Sequence, residues 1–241
     1  MENKRWTKKY LLLIWLITLI VVVAAISGHF YNIRHFFNWG GNPGNVDLKN
    51  YDFSNEKVTG ISIEMNAADI NIDYGNTFSV DASFPEKYTP DVELKNGMLT
   101  VSQKQSIKNM HGFDDFKLDI VIPKDTDLKN IKLDISAGDI DIRNIKLEKL
   151  ELDANAGDID INDIIAEKIN IDANAGDINV MDCTAEKIDL NVNAGDVDVT
   201  GNYGKIDCSC DMGDVDIKAP NTDRNDIDVD CALGSVNIVG K

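Results

Sequence analysis

Five aspartates recur at almost constant spacing, Asp139, Asp158, Asp177, Asp196 and Asp214, and each directly follows a glycine. Carboxylates this far apart in sequence become neighbours only if the chain returns to the same place once per repeat. At a stacking distance of about 4.8 Å, adjacent charges repel by roughly 0.9 kcal/mol in water before screening. Two chemistries offset that repulsion. Each Asp can accept backbone N–H bonds at a corner, as in Asx turns, or divalent cations, Ca2+ first among them, can bridge the ladder. The calcium repeat GGxGxD and the EF-hand loop are both absent, so the backbone-bonded reading leads and the Ca2+ ladder is the alternative. No other cofactor is expected.

The remaining reactive side chains point to structure before catalysis. Cys183, Cys208, Cys210 and Cys231 occupy positions where other repeats carry Leu, Ala, Ile or Val, so they read as small hydrophobes. Cys210 and Cys231 align on successive repeats, which leaves a disulfide between them open. No CxxC pair with His partners suggests zinc. Asn155, Asn174 and Asn193 share one repeat position and can hydrogen-bond as stacked amides. Lys149, Lys168, Lys187 and Lys205 share another, a solvated corner that balances carboxylate charge. The three histidines, His29, His35 and His111, all lie outside the acidic half, which therefore lacks the commonest general base. Residues 131–241 hold a single aromatic, Tyr203. A regular carboxylate ladder offers no enclosed pocket to raise one pKa. No catalytic residue is assigned, and the expectation is a protein that is not an enzyme.

The element that must position these residues is a repeat. The hexad AGDIDI at 137–142 returns at 156–161, then as AGDINV, AGDVDV, MGDVDI and LGSVNI, with glycines at 138, 157, 176, 195, 213 and 234. Within a unit, apolar and polar residues alternate with the period of a strand, and the glycine breaks the alternation as a bend does. Apolar positions align in columns: Ile131, Leu150, Ile169, Ile188, Ile206, Ile227; Leu133, Leu152, Ile171, Leu190, Cys208, Val229; Ile140, Ile159, Ile178, Val197, Val215, Val236. A unit of about 19 residues cannot bury such a face alone and is stabilised by stacking. The predicted fold is all-β, a single-stranded parallel β-solenoid (β-helix), with six rungs spanning on the order of 29 Å.

Residues 61–72, ISIEMNAADINI, match the same template with Ala68 in the glycine slot. Between there and residue 130 the regularity lapses, Asn96-Gly97 signals a type I′ hairpin, and Pro123 ends a further strand. These residues read as irregular N-terminal rungs and a cap, whereas the C-terminal end carries little capping. At the other extreme, Leu11–Ile26 is an apolar run whose Leu, Ile and Val residues favour insertion by roughly 4–7 kcal/mol in sum. Lys4, Arg5, Lys8 and Lys9 precede it, so the positive-inside rule predicts a single-pass anchor with a cytoplasmic N-terminus and an extracellular C-terminal domain. A cleaved signal peptide at Ala25-Ile26-Ser27 is the rival. The expected organisation is a basic N-terminus at 1–9, a transmembrane helix at 10–28, a juxtamembrane linker or cap at 29–60, irregular rungs at 61–130 and regular repeats at 131–241.

Of the net charge of −17, residues 131–241 supply −15, from 25 acidic and 10 basic side chains. That balance excludes a nucleic-acid partner, which needs a basic footprint. A basic start, one apolar span, a DIVIPK strand and serial I-x-L-x-x-x-A-G-D-I-x-I units together resemble the bacterial "putative adhesin" domain-of-unknown-function family, LiaG-like proteins among them. The resemblance covers about residues 55–241. It implies an extracytoplasmic β-solenoid linked to the cell envelope and its stress responses, and brings no catalytic residues with it. The function expected is a non-enzymatic, membrane-tethered interaction or accessory module of the envelope, with another membrane protein as partner. A surface adhesin for an external ligand and a carbohydrate-active β-helix enzyme are the alternatives.

Overall fold

The structure, a computed structural model, describes residues 46–103 and 116–241. The segments predicted at 1–9 and 10–28 lie outside these residues, among which no helix is long and apolar enough to cross a membrane. In chain order the first strands are β1 (Val46–Asp52), β2 (Gly60–Met65), β3 (Asp69–Gly75), β4 (Ser79–Pro85), β5 (Asp91–Lys95), β6 (Met98–Ser102) and β7 (Lys117–Pro123). The repeats supply β8 (Leu128–Ile135), β9 (Ile140–Arg143), β10 (Leu147–Ala154), β11 (Ile159–Asn162) and β12 (Ile165–Ala173). They continue with β13 (Ile178–Ala194), β14 (Val197–Met212), β15 (Val215–Lys218), β16 (Ile227–Leu233) and β17 (Val236–Val239).

From β8 onward each repeat makes one turn of a parallel β-solenoid. One face runs β8, β10, β12, second half of β13, second half of β14, β16. The other runs β9, β11, first half of β13, first half of β14, β15, β17. The three apolar columns predicted from the repeat are in register across these pairings. They are buried down to Ile227, Cys208 and Val215, and they form one core between the two faces. Burial of each Ile or Leu contributes about 1.5–3 kcal/mol.

The rungs do not follow sequence order at the N-terminal end. β2 and β3 form a rung as their template predicts, but β2 pairs directly with β8, and β3 with β9. The chain between them folds back onto the opposite side: β6 lies parallel to β2, and β7 parallel to β3. Outside these, β5 adds to β6, β4 to β7 and β1 to β4, all antiparallel. The β5–β6 hairpin turns at Asn96 and Gly97 with φ of 52° and 81°, both positive as type I′ requires. Phe84 and Phe116, both fully buried, meet at 5.3 Å between ring centroids beneath this end. The solenoid is thus closed by antiparallel strands at one end and ends in the open edge of β16 and β17 at the other.

Candidate functional site

The corner between the two faces is built on glycine. Gly138, Gly157, Gly176, Gly195, Gly213 and Gly234 all have positive φ, between 127° and 153°. A Cβ on Gly157 would stand 2.0 Å from the carbonyl oxygen of Gly138, and the same collision recurs up the stack. Glycine is needed here twice over, for the backbone angle and for the closeness of the next rung. Ala68 fills the first slot with its own φ outside that region, and Gly138 packs against its carbonyl.

Immediately after each glycine, the Asp ladder runs along the corner. Asp139 Oδ1 accepts the backbone N–H of Asp158 at 3.1 Å, Asp158 that of Asp177 at 3.0 Å, and Asp177 that of Asp196 at 2.9 Å. Asp196 accepts from Asp214 at 2.8 Å and Asp214 from Ser235 at 2.7 Å. The ladder extends one rung beyond the sequence reading, since Asp69 accepts from Asp139 at 3.2 Å. Each carboxylate therefore satisfies a donor of the next rung, which offsets the repulsion between neighbours. Desolvation, with Asp139 and Asp177 close by, pushes Asp158 up, while hydrogen bonds from Ser235 hold Asp214 down. Among the described residues no group of three or more His, Cys, Asp or Glu is arranged to hold a metal ion.

Beside it, Asn174 Nδ2 donates to Asn155 Oδ1 at 2.6 Å and Asn193 Nδ2 to Asn174 Oδ1 at 2.5 Å, the stacked-amide ladder. On the β10–β16 face the lysine column is threaded through carboxylates. Lys149 pairs with Glu151 at 2.6 Å, Lys168 with Asp189 at 3.0 Å, and Lys187 with Asp189 at 2.5 Å and Asp207 at 2.9 Å. Lys205 joins Asp207 at 2.7 Å. Lys205 and Lys187 hold the Asp207 carboxyl down to about 2. Next to this lattice lies a shallow groove with Asp172, Asn191, Ser209, Asp228 and Asp230 along it. A second, on the other face, is lined by Asn71, Asp119, Asp141 and Asp160. Asn191 donates to Asp172 at 2.7 Å and Asn71 to Asp119 at 3.2 Å, so amides interleave the carboxylates in both. The result is a pair of flat polar faces on a rigid frame, suited to recognising another surface through charge pattern.

A second corner escaped the sequence reading. Asn144, Asp163 and Asp182 take left-handed φ of 53–58°, and on the next rung Gly201, with φ of 148°, pairs with Cys183, one position after that column. Asn and Asp tolerate that conformation better than other side chains. The signal was an Asn or Asp one residue before each of Ile145, Ile164 and Cys183. Cys183, Cys208 and Cys210 are buried and Cys231 half-buried, all as free thiols. Burial pushes Cys183 up to about 11 and Cys208 up to about 12.

The model of the Toastrack DUF4097 family matches residues 58–241. No curated protein matches the chain. A "putative adhesin" of Bacteroides fragilis is 18% identical, with 83% of this chain covering 100% of that one at a TM-score of 0.51. A "putative adhesin" of Parabacteroides merdae is 14% identical, with coverage of 81% and 98% and a TM-score of 0.48. A "putative lipid binding protein" of Parabacteroides distasonis is 18% identical, with coverage of 83% and 98% and a TM-score of 0.45. At 18% identity the likeness to the B. fragilis structure is one of fold.

Proposed function

The chain belongs to the Toastrack DUF4097 family, and from that premise we propose that it is a non-enzymatic interaction module of the bacterial cell envelope. In this reading the apolar run at 11–26 tethers it to the membrane, and the solenoid stands outside the cytoplasm. The observation that carries the proposal is the lattice on the β10–β16 face. There Lys168, Lys187 and Lys205 and their carboxylates fix a charge pattern on strands held by a continuous core. Charges held in place this way favour partner choice and encounter rate over raw affinity. A partner with a basic strip spaced by about 4.8 Å, or with alternating charges, fits that face. The partner proposed is another membrane protein, in keeping with a role in sensing envelope stress.

Photo-crosslinking side chains placed at Asn191 and Ser209 on the groove, and at Lys124 on a turn after β7, test this in cells. The expected result is one membrane-protein adduct from the two groove positions and none from Lys124. Equal adducts from all three positions, or none from the groove, overturn it. The adhesin reading is supported by the name of the B. fragilis structure. It predicts that cells displaying the chain retain an external ligand, and that reversing Asp207 and Asp228 to Lys abolishes retention.

A further inference from the structure

Cys210 and Cys231 face each other across the last two rungs, as directly opposed partners of β14 and β16. Their sulfurs converge on one atom: Cys231 Sγ lies 3.4 Å from the Gly213 carbonyl oxygen and Cys210 Sγ 3.9 Å from it. Opposed residues on parallel strands about 4.8 Å apart fall within the range of Cα separations, about 4.4–6.8 Å, that a disulfide spans. The Cβ atoms must come to about 4.5 Å or less, so one strand must shift by a few tenths of an ångström. β16 is free to do so, because β14 is its only strand partner among the described residues. The remaining thiols are placed differently: Cys208 faces Val229, and Cys183 faces Gly201.

We infer that Cys210 and Cys231 form an oxidative modification site, a reversible disulfide that staples the terminal rung, β16 with β17, to the body of the solenoid. The oxidant is a low-molecular-weight disulfide such as oxidised glutathione. The half-buried Cys231 loses its proton and attacks it, one thiol leaves, and a mixed disulfide forms. Cys210 then loses its proton and displaces the second small thiol as its sulfur bonds to that of Cys231. The protein gives up two hydrogens and two electrons, and the small disulfide takes them up as two thiols. The rung this bond secures is the one that needs it. Leu233, Val236 and Val239 are exposed there, whereas Val215 and Ile217 one rung earlier are buried.

The test uses the full chain, reduced and then equilibrated with oxidised and reduced glutathione before alkylation in denaturant. The expected product has lost two hydrogens, contains one internal bridge to Cys231, and shows slower amide exchange across 227–239 than the reduced protein. Cys208→Val, which matches its Leu and Val column neighbours, keeps the bridge. Cys210→Val, which matches Val192 in its own column, abolishes both the bridge and the slowed exchange. A stable glutathione adduct on Cys231 with Cys210 still alkylated overturns the inference. A bridge that survives in Cys210→Val, or one that links two chains, overturns it equally.

Discussion

The most demanding single positions are the corner glycines. Gly176 combines a φ of 135° with a Cβ that would lie 2.0 Å from the Gly157 carbonyl oxygen, so an added methyl meets backbone that cannot turn aside. Gly176→Ala is expected to cost about 2–4 kcal/mol in urea unfolding, well above the cost of an ordinary Gly replacement. The other corner carried a fainter signal, because Asn144, Asp163 and Asp182 reach left-handed φ with residue types that tolerate it but that also fill many exposed strand positions of the same repeats. Charge makes a second expectation at this scale. Asp207 sits below the usual carboxylate range, near 2, because Lys205 and Lys187 favour its ionised form. A depressed folded pKa means that its contribution is present above about pH 4 and is lost as pH falls toward 2. The pair is solvent-accessible, so the stability at stake is small and the group itself is the better reporter. Carboxyl NMR should place the Asp207 midpoint near 2 and return it toward the ordinary value in Lys187→Met.

Columns of like residues define the next scale. Register was legible because each apolar residue has a counterpart 18, 19 or 21 positions on, and a slip of one would turn every one of them outward. The fold-back at the N-terminal end was not legible. Residues 76–127 carry strand and hairpin signals, but a strand's pattern does not say which side of β2 and β3 it will cover. Nor does it say that β8 will take the place next to β2. The Asp column was legible as a set of residues, while its partners were not, since a backbone N–H on the following rung has no sequence signature. Those partners govern how the column should respond to cations. One oxygen of each carboxylate from Asp69 through Asp214 already accepts a rung-to-rung bond, and monovalent screening relieves what repulsion is left. Thermal unfolding of the full chain in millimolar CaCl2 is therefore expected to match that in NaCl of equal ionic strength. A calcium-specific rise in Tm would instead assign the free oxygens to metal.

The whole solenoid behaves as a stack of nearest-neighbour contacts, and that makes its length adjustable. Each rung from β8 onward touches only the rungs before and after it, so stability is close to a sum of rung and interface contributions. Removing residues 157–175 deletes one full repeat and joins Ala156 to Gly176, which regenerates the Ala-Gly-Asp corner. Every ladder then closes one step shorter: Asp139 meets Asp177, Ile140 meets Ile178, and Lys149 meets Lys187. At an ordinary stability of about 0.05–0.15 kcal/mol per residue, the loss amounts to roughly 1–3 kcal/mol. The shortened chain should keep its β-sheet circular dichroism and unfold at a lower urea midpoint with a reduced m-value, because less surface is exposed on unfolding. Removing residues 157–174 instead leaves Ala175 ahead of Gly176 as an extra residue at the corner. That turns the following columns out of phase with Ile131, Ile140 and their neighbours, and places Asp and Asn where the core requires Ile and Leu. The two deletions differ by a single residue and remove nearly the same apolar area, so hydrophobic content alone predicts the same outcome for both. A rod built by register predicts a folded protein from the first and loss of cooperative unfolding from the second, and urea titration of the pair decides between them.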